Sequence, residues 1–391
     1  MKYILQECIT DIIDNRGKNP KNYYLKEKHP VIDNYLIKGD LYPNLNEVKR
    51  YIDEVTYLKF LRTYLEKDDV LMTLVGNGIA NVSLAPSKTV VIIQNTIAFR
   101  TDKSKLLQRY LYYYLKNIYQ ELLNFNRGSS QPSIKKTDIL AMEINIPDIQ
   151  TQQKTVNILS SLDEKIELNN KLNDNLEQLI VNLFNMKFAD YEKSGKISEI
   201  CERVYSGGTP STKKQEFWNG ELNWLSSGET RDRFIIGTEK YITQLGADNS
   251  STKLAHKYDV VIASAGQGFT RGQTSLLLLD TYINQSVIAI TGTLSAQIYV
   301  FANLIQRYKE MRILSDGTST RGSLTTKIIS GMDIYIPTQA ELDEFLEIAL
   351  PIINQIELLS REQKALVDIR DCLLPKLMLG DMDISEIELE V

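Results

Sequence analysis

The chain contains one pattern twice, so its fold must come in two similar halves. The pattern KxDVxxxxxGxG begins at Lys67 and again 190 positions later at Lys257. At residues 94–98 the interval slips to 191, and it returns to 190 by Pro147 and Pro337. One compensated slip indicates duplication of a whole module. The glycines of the pattern predict tight loops that follow strands in both copies.

The entry loops of the two copies are the least similar part of the repeat. Keeping the interval of 190 places Gly17 opposite Gly207 and Pro20 opposite Pro210. Few other residues match there. The two halves are therefore expected to differ most in these loops.

A long helical pattern follows the final proline of each copy, and its apolar heptads keep the same interval. The main stripe comprises Leu162, Asn169, Leu176, Leu183, Ile352, Leu359, Leu366 and Leu373. A second stripe comprises Ile166, Leu172, Leu179, Ile356, Ile369 and Leu377, with polar Lys165, Gln363 and Arg370 among them. Two paired coiled-coil helices are predicted, with polar positions that select one register.

The second helix carries its own start signal and one potential interruption. Thr338 and Glu341 form a T-x-x-E capping box directly after Pro337. Within the helical pattern, Pro351 is expected to kink or break the helix, because proline lacks the amide donor.

The organisation predicted is α+β: two globular modules, each followed by a long helix, with the helices pairing antiparallel as a coiled-coil spacer of pseudo-twofold symmetry. Predicted strands are residues 70–75, 90–99, 259–264 and 332–337, and a helix is predicted over 106–123. The predicted divisions are 1–148 and 196–337 for the modules, 149–190 and 338–379 for the helices, and 380–391 for an acidic tail.

Composition excludes several classes of protein. With 391 residues and 43% hydrophobic content, the chain can bury two cores. No apolar run reaches the length of a membrane span and the N-terminus lacks a secretory signal, so a cytoplasmic location is expected. Cys8, Cys201 and Cys372 have no metal-ligand spacing and predict reduced thiols.

The net charge of −5 hides an uneven distribution. Residues 1–150 carry 21 basic and 17 acidic side chains, and residues 196–337 carry 15 and 13. Residues 338–391 carry 4 basic and 13 acidic side chains, which accounts for most of the acidity. The modules can therefore present basic faces to phosphate, although the count cannot locate those faces.

Catalytic equipment is missing from the sequence. The two histidines, His29 and His256, occupy unrelated positions in the repeat and are interpreted as ordinary surface or loop residues. No phosphate-binding G-x-x-x-x-G-K-[ST] loop and no Pro-Pro pair of an adenine methyltransferase loop occur. The chain is predicted to perform no chemistry itself.

The segment SGGTPSTKKQEFWNGELNWLSSGE at 206–229 resembles the opening of a target-recognition domain in specificity (S) subunits of type I restriction-modification systems. Residues 128–147 and 321–337 resemble the endings of such domains, and LLPKLMLGDM at 373–382 resembles the family's C-terminal close. The likeness covers essentially the whole length. The first module departs from it, with DNRGKNPKNYYL at 14–25 in place of GGTPST.

The resemblance implies a non-catalytic DNA reader with two target-recognition domains. It implies double-stranded DNA, two methyltransferase (M) subunits and restriction/motor (R) subunits as partners, and no membrane. No cofactor is expected on this chain, while S-adenosylmethionine, ATP and Mg are expected on the partner subunits. Adenine flipping would be performed by the M subunits.

Loop residues of polar and basic type are the predicted DNA contacts, because they suit phosphates and base edges. In the first module they are Arg16, Lys18, Asn77, Ser129, Ser130, Gln131, Lys135 and Lys136. In the second they are Thr209, Ser211, Lys213, Lys214, Gln267, Arg271, Ser319, Thr320 and Arg321. The alternative for these residues is a structural one, with Ser211 capping a turn and Gly207 and Gly208 needed only for positive φ.

The long helices are predicted to set the distance between the two modules and to provide a surface for a partner subunit. About 36 helical residues at ~1.5 Å each give roughly 54 Å, or about 16 base pairs of DNA at ~3.4 Å. A bipartite site with an unread spacer is therefore predicted. Predicted M-subunit contacts are Phe184, Phe188, Phe345 and Leu346, and the alternative is that these side chains pack against their own module.

Two other functions remain open from the residues. A non-catalytic protein-binding scaffold would explain the repeat and the acidity but leaves GGTPS unexplained. The alternative that the chain is an enzyme is disfavoured because the sequence lacks the catalytic motifs described above. Binding that weakens steeply with salt would distinguish a DNA reader from a scaffold.

Overall fold

A computed structural model describes residues 1–128, 130–266, 268–316 and 322–384. It divides into two compact units. The first unit comprises Met1–Glu167 with Ala365–Val391, and the second comprises Leu168–Lys364. Each unit thus contains one globular module and part of both long helices, a division that does not follow the linear order of the chain.

The first unit is of mixed helix and strand content. Its elements are β1 (Lys2–Ile4), β2 (Ile9–Ile13), β3 (His29–Pro30), β4 (Tyr51–Ile52), α1 (Glu54–Phe60), β5 (Val70–Thr73), β6 (Val82–Leu84), β7 (Thr96–Thr101), α2 (Gln108–Asn117), α3 (Tyr119–Leu123), α4 (Lys136–Leu140), β8 (Glu143–Asn145) and the start of α5 (Ile149–Phe188). The main sheet has the order β2-β7-β5-β6 and is antiparallel throughout.

The second unit repeats this plan and adds a mixed four-stranded sheet. Its elements are β9 (Gly195–Lys196), α6 (Ile197–Ile200), β10 (Arg203–Ser206), β11 (Trp218–Leu225), β12 (Phe234–Ile235), β13 (Lys240–Ile242), α7 (Gln244–Asp248), β14 (Lys253–Ala255), β15 (Val260–Ala263), β16 (Thr274–Leu277), β17 (Thr281–Ile283), β18 (Val287–Thr291), α8 (Leu294–Leu304), α9 (Tyr308–Asp316), α10 (Thr326–Ser330), β19 (Asp333–Ile334) and the start of α11 (Gln339–Leu379). The sheet orders are β10-β18-β15-β16-β12 and β13-β11-β17-β14.

Strand register confirms the central part of the repeat. Val70 pairs with Phe99 in the first unit, and Val260 pairs with Ile290 in the second. The duplicated aspartate of the pattern also keeps its role, because Asp69 accepts a hydrogen bond from the Glu66 amide at 2.8 Å and Asp259 accepts one from the His256 amide at 2.9 Å.

The predicted alignment of the entry loops is wrong by two residues. Ile13 lies opposite Ala98 on β7, and Tyr205 lies opposite Ala289 on β18. The first strand therefore repeats at an interval of 192, which places Gly207 at the position of Asn15 and not of Gly17. Strand pairing locates this difference, whereas the weak sequence similarity near the entry loops could not.

The predicted strands 70–75, 259–264 and 332–337 are all shorter than expected, and become Val70–Thr73, Val260–Ala263 and Asp333–Ile334. Two other predicted segments are differently built. Of residues 90–99, only the end joins β7. Residues 90–93 instead alternate between two core clusters, and Val91 makes a single bridge to Val31. The predicted helix over 106–123 is divided at Ile118, whose φ and ψ of −93° and 21° are not helical.

The long helices pair antiparallel within each unit, as predicted. In the first unit, Arg370 contacts Asp163 at 2.8 Å, while Lys154 reaches the carbonyl of Ile384 just beyond the end of α11. In the second unit, Asn173 contacts Ser360 at 3.2 Å and Lys187 contacts Glu344 at 2.5 Å. Numbers rise on one helix as they fall on the other, which defines the antiparallel direction.

The structure shows the outcome of two predictions for α11, the capping box at its start and the break at its proline. The capping box is confirmed, since the Thr338 amide donates to Glu341 at 2.7 Å and the Glu341 amide donates back to Thr338 at 3.3 Å. Pro351 does not break α11. Its neighbours Ala349 and Ile353 are fully buried, and this packing outweighs the cost of the missing hydrogen bond.

Part of the second predicted stripe is exposed. Leu172, Leu179 and Ile369 lie outside the helix pairing, with exposed fractions of 39%, 43% and 48%. Periodicity could not distinguish a second seam from an outer face. Among the described residues, no helix is both long and apolar enough to cross a membrane.

Candidate nucleic-acid interface

Three chain segments of the first unit meet at one end of its main sheet. β2 and β5 both run antiparallel to β7, so the ends of β2 and β5 lie beside the start of β7. The loops that follow Ile13 and Thr73 and the loop that precedes Thr96 therefore share this end. Such loops, held by a rigid sheet, commonly carry binding residues.

A fourth segment, residues 130–136, is bonded to the same end. The Ile134 amide donates to the Leu74 carbonyl at 2.8 Å, and the Gly76 amide donates to the Pro132 carbonyl at 2.9 Å. Gly76 has a φ of +103°, which explains the glycine at this position of the pattern. We call residues 14–19, 76–78, 94–95 and 130–136 the first loop cluster. It contains every described residue predicted to contact DNA in this unit.

Asp14 connects two of the predicted residues that lie far apart in sequence. Arg16 donates from Nε to Oδ1 at 2.9 Å and from Nη2 to Oδ2 at 2.8 Å, and Lys136 donates from Nζ to Oδ2 at 3.0 Å. These hydrogen bonds, above all those from Arg16, hold the pKa of the Asp14 carboxyl well below its usual range, although burial opposes them.

The remaining predicted residues of this cluster are mostly exposed. The Lys18 ammonium lies 5.0 Å from the centre of the Phe60 ring. Asn77, Gln131 and Lys135 face solvent. Ser130 is also exposed, and Ser129 lies outside the described residues. The cluster therefore offers fixed basic groups beside accessible polar ones.

The second unit places loops at the corresponding end of its sheet, beyond Ser206 and Ala263 and before Val287. The Leu324 amide donates to the Ser264 carbonyl at 2.8 Å. That contact repeats the Ile134–Leu74 bond 190 positions later. We call residues 207–214, 264–266, 268–273, 284–286 and 322–324 the second loop cluster.

Two tryptophans hold the GGTPS segment in this cluster. Trp218 and Trp224 pack edge to face at 5.0 Å. Their indole N–H groups donate to the carbonyls of Ser211 at 3.2 Å and Gly208 at 3.4 Å, respectively. The tryptophans that follow GGTPS in the sequence therefore fix the backbone of this loop.

The glycines of this segment serve close approach and not positive φ, so the alternative given for them is wrong. Neither Gly207 nor Gly208 has positive φ. A Cβ on Gly207 would lie 1.9 Å from the Ile283 carbonyl oxygen, and one on Gly208 would lie 2.0 Å from Ser251 Oγ. Only glycine fits between these neighbours.

The predicted residues of the second cluster differ in accessibility. Ser211, Lys213 and Lys214 are exposed, and Thr209 bonds to Gln285. The Arg271 side chain is only 11% exposed and is paired with Asp316 and the Gly322 carbonyl, so it braces the loop and does not present its guanidinium to solvent. Gln267, Ser319, Thr320 and Arg321 lie outside the described residues.

Two residues of interest were not predicted. Asp14 has no signal in the sequence, because its partner Lys136 is distant. Phe269 is 71% exposed on the second cluster, and its carbonyl accepts a hydrogen bond from Tyr308 at 3.1 Å. The surrounding Gly266, Gly268 and Gly272 all have positive φ and could have marked this loop.

The predicted partner contacts on the helices require correction. Phe184, Phe188 and Phe345 are at most 6% exposed and pack with Tyr299 in the core of the second unit, and Leu346 packs partly against that core. The second module covers them because these positions face α8, which supplies Tyr299. The predicted alternative therefore describes Phe345 and Leu346, whose helix follows the second module, whereas Phe184 and Phe188 pack on the second module and not on the first, which their helix follows.

The histidines show no duplicated arrangement. His29 is buried and stacks on Tyr57 at 3.8 Å, with Nδ1 2.8 Å from the Thr89 carbonyl, so the surface or loop interpretation is wrong for it. His256 is exposed. Within the described ranges, no group of three or more His, Cys, Asp or Glu side chains could hold a metal ion.

Loop clusters of this kind, on two copies of one module joined by paired helices, define a two-site binding protein. The chain belongs to the family of the Type I restriction modification DNA specificity domain, whose model matches residues 8–178 and again 190–367. Both copies of the repeat are therefore members of one domain family.

Relatives with similar sequences are named as specificity subunits. The chain is 24% identical over 334 residues to the type I restriction enzyme MjaIX specificity subunit of Methanocaldococcus jannaschii, covering 78% of this chain and 77% of the relative. It is 22% identical over 343 residues to the HindI specificity subunit of Haemophilus influenzae, covering 68% and 74%. The crystal structure of the type I S subunit from M. genitalium superimposes with a TM-score of 0.60 at 16% identity, covering 96% of this chain and 95% of that one. That superposition supports the fold.

Proposed function

We propose that the chain reads a bipartite DNA site with its two loop clusters and directs adenine methylation or restriction by partner subunits. One observation carries this proposal. The Ile134–Leu74 and Leu324–Ser264 bonds place corresponding loops on the same framework in both units. The side chains on that framework differ, as expected for two modules that read different half-sites.

Each cluster combines two kinds of contact. Exposed lysines such as Lys135 and Lys213 suit phosphates, which position a protein without specifying sequence. Polar groups such as Asn77, Gln131 and Ser211 suit base edges in the major groove. The antiparallel helices supply the framework that joins the two readers.

Catalysis is assigned to other subunits. Two M subunits would bind S-adenosylmethionine and methylate the adenine, and R subunits would use ATP and Mg for translocation and cleavage. No cofactor is assigned to this chain. The named relatives are specificity subunits of type I restriction enzymes, which supports a multisubunit assembly.

The outer face of α5 replaces the buried phenylalanines as the proposed M-subunit surface. Leu172, Leu179 and Met186 follow one another at heptad spacing and are 39%, 43% and 86% exposed. On the opposite face, Ile180 and Phe184 are buried in the second unit. An exposed heptad stripe suits an apolar partner helix.

Replacing Leu179 and Met186 together by Glu tests this surface. The two charges should weaken co-purification with the M subunit at least tenfold, because each would be desolvated in the contact. Gln178→Glu is the control, since Gln178 is exposed on the same helix outside the stripe. Equal M-subunit binding by the double variant and the control would place the M subunit elsewhere.

Single-molecule methylome sequencing tests the function. Cells that express the M subunit with this chain should show a bipartite N6-methyladenine motif that is absent without the chain. Exchanging residues 1–148 for a relative's first module should change one half of the motif and leave the other. If an active M subunit produces the same methylation with and without this chain, the protein-binding scaffold is favoured.

A further inference from the structure

The Asp14–Arg16 pair fixes a guanidinium in one orientation. Nε and Nη2 of Arg16 donate to the two carboxylate oxygens, and the Arg16 amide also donates to Oδ1 at 3.1 Å. A guanidinium has five N–H donors in one plane. With the Nε side bound to Asp14, the Nη1 edge of the fork stays directed away from the carboxylate.

Lys136 completes this arrangement from a segment that is remote in sequence. Its bond to Asp14 Oδ2 ties α4 to the loop after β2. The Asp14 side chain is 18% exposed, whereas that of Arg16 is 31% exposed. The carboxylate is thus mostly covered and bonded by two cations, and the Arg16 side chain is the more exposed partner of the pair at the loop end of the sheet.

We propose that Arg16 reads a guanine in the half-site of the first module, donating to its O6 and N7, and that Asp14 and Lys136 are positioning residues. This proposal rests on the DNA-reading function given above. A bidentate arginine is the commonest specific partner of guanine, because its two parallel donors match the two acceptors on the major-groove edge. A pre-oriented fork loses less entropy on binding.

A phosphate contact explains the geometry less well. A phosphate contact does not require a side chain held in one plane, because a mobile lysine such as exposed Lys135 can also supply the charge. The two hydrogen bonds from the Arg16 guanidinium to Asp14 instead restrict it to one plane and one direction. Such restriction is useful where a wrong base must be rejected.

The second module lacks this reader. Strand pairing equates Ile13 with Tyr205, so Ser206 stands at the position of Asp14 and Gly208 at that of Arg16. Neither can form an ion pair. The guanine contact is therefore predicted for one half of the motif alone, which gives the experiment an internal control.

The test compares motifs written by complexes that contain Arg16→Gln, Arg16→Lys or Asp14→Asn. The half read by the first module is the one that changes when residues 1–148 are exchanged. It should contain an obligatory guanine, and methylation of that motif should fall about tenfold or more in Arg16→Gln and Arg16→Lys. The loss in Asp14→Asn should be smaller. Lys105→Gln removes a charge at the opposite end of the sheet and should leave the motif unchanged.

A chemically modified site separates base contact from folding effects. Replacing that guanine by 7-deazaguanine removes the N7 acceptor and should weaken binding of the wild-type complex about fivefold or more. The Arg16→Gln complex should show no further loss. If 7-deazaguanine leaves wild-type binding intact, or the half contains no required guanine, Arg16 is not its reader. If no chain-dependent motif exists at all, the proposed function itself is wrong.

Discussion

At the scale of single residues, burial determines which cysteine can react. Burial raises the pKa of the Cys201 thiol to about 12 and also raises the pKa of Cys8, whereas Cys372 is exposed on α11. Only the thiolate reacts. At pH 7.5, a thiol of pKa about 12 is ionised to roughly 3 parts in 10⁵.

Titration with an aromatic disulfide reagent at pH 7.5 should therefore modify one thiol per chain quickly. Cys372→Ser should abolish that fast phase. The slow reaction of Cys201 should accelerate about tenfold per pH unit as pH rises, because its folded pKa lies above the range tested. A fast phase that survives Cys372→Ser would contradict the assigned burial.

The structural roles of several residues could be predicted from the sequence, whereas the contacts of others could not. The glycine loops and the capping box follow from local rules, because each depends on backbone conformation within a few residues. The Asp14–Lys136 contact depends on the folded sheet, so no local pattern contains it. Arg271 was placed among DNA contacts by residue type, but Asp316 and Gly322 occupy its guanidinium.

At the scale of elements, a buried ion pair joins the two helices in the first unit. Arg370 is 8% exposed and donates to Asp163 at 2.8 Å, while the second Asp163 oxygen accepts from Tyr113 at 2.7 Å. Removing one partner of such a pair leaves a buried charge and costs about 3–5 kcal/mol. Arg370→Met should therefore loosen the pairing locally.

Hydrogen exchange measures this loosening. Amides of α11 from residue 365 to 379 should exchange roughly 10²–10⁴-fold faster in Arg370→Met. Arg361→Met removes an arginine that is half exposed, so exchange around it should change by no more than about fivefold. Adding Asp163→Leu to Arg370→Met should restore much of the protection, because neither charge of the pair then remains. Failure of that rescue would assign the effect to packing.

Helical periodicity was sufficient to predict both long helices, but it could not predict which part of the protein covers each face of a helix. Leu162 and Leu172 fit the predicted apolar stripes and Phe184 was predicted on an outward face. One helix nevertheless meets a second helix, the globular modules and solvent on different faces. Phe184 is covered by Tyr299 from α8, and Leu172 is exposed. Tertiary packing assigns these faces, so the two predicted stripes could be distinguished only in the folded chain.

At the scale of the whole molecule, the net charge of −5 does not prevent the phosphate contacts that we propose for the two loop clusters. Lys135 in the first loop cluster and Lys213 in the second are exposed. If each neutralises one phosphate, replacement of either by Gln should reduce the slope of log affinity against log salt by about 0.9. The double variant should lose about 1.8, because the residues belong to separate units and act independently.

Binding of the assembled complex to motif DNA, measured by fluorescence anisotropy over a series of salt concentrations, gives these slopes. The motif itself should stay unchanged in both single variants, because phosphate contacts carry no base preference. Lys105→Gln should leave the slope unchanged, since it lies at the far end of the first sheet. A double variant with the wild-type slope would exclude these lysines as phosphate contacts. A slope reduced by only one contact would show that a single module carries the electrostatic attachment while the other reads its half-site without it.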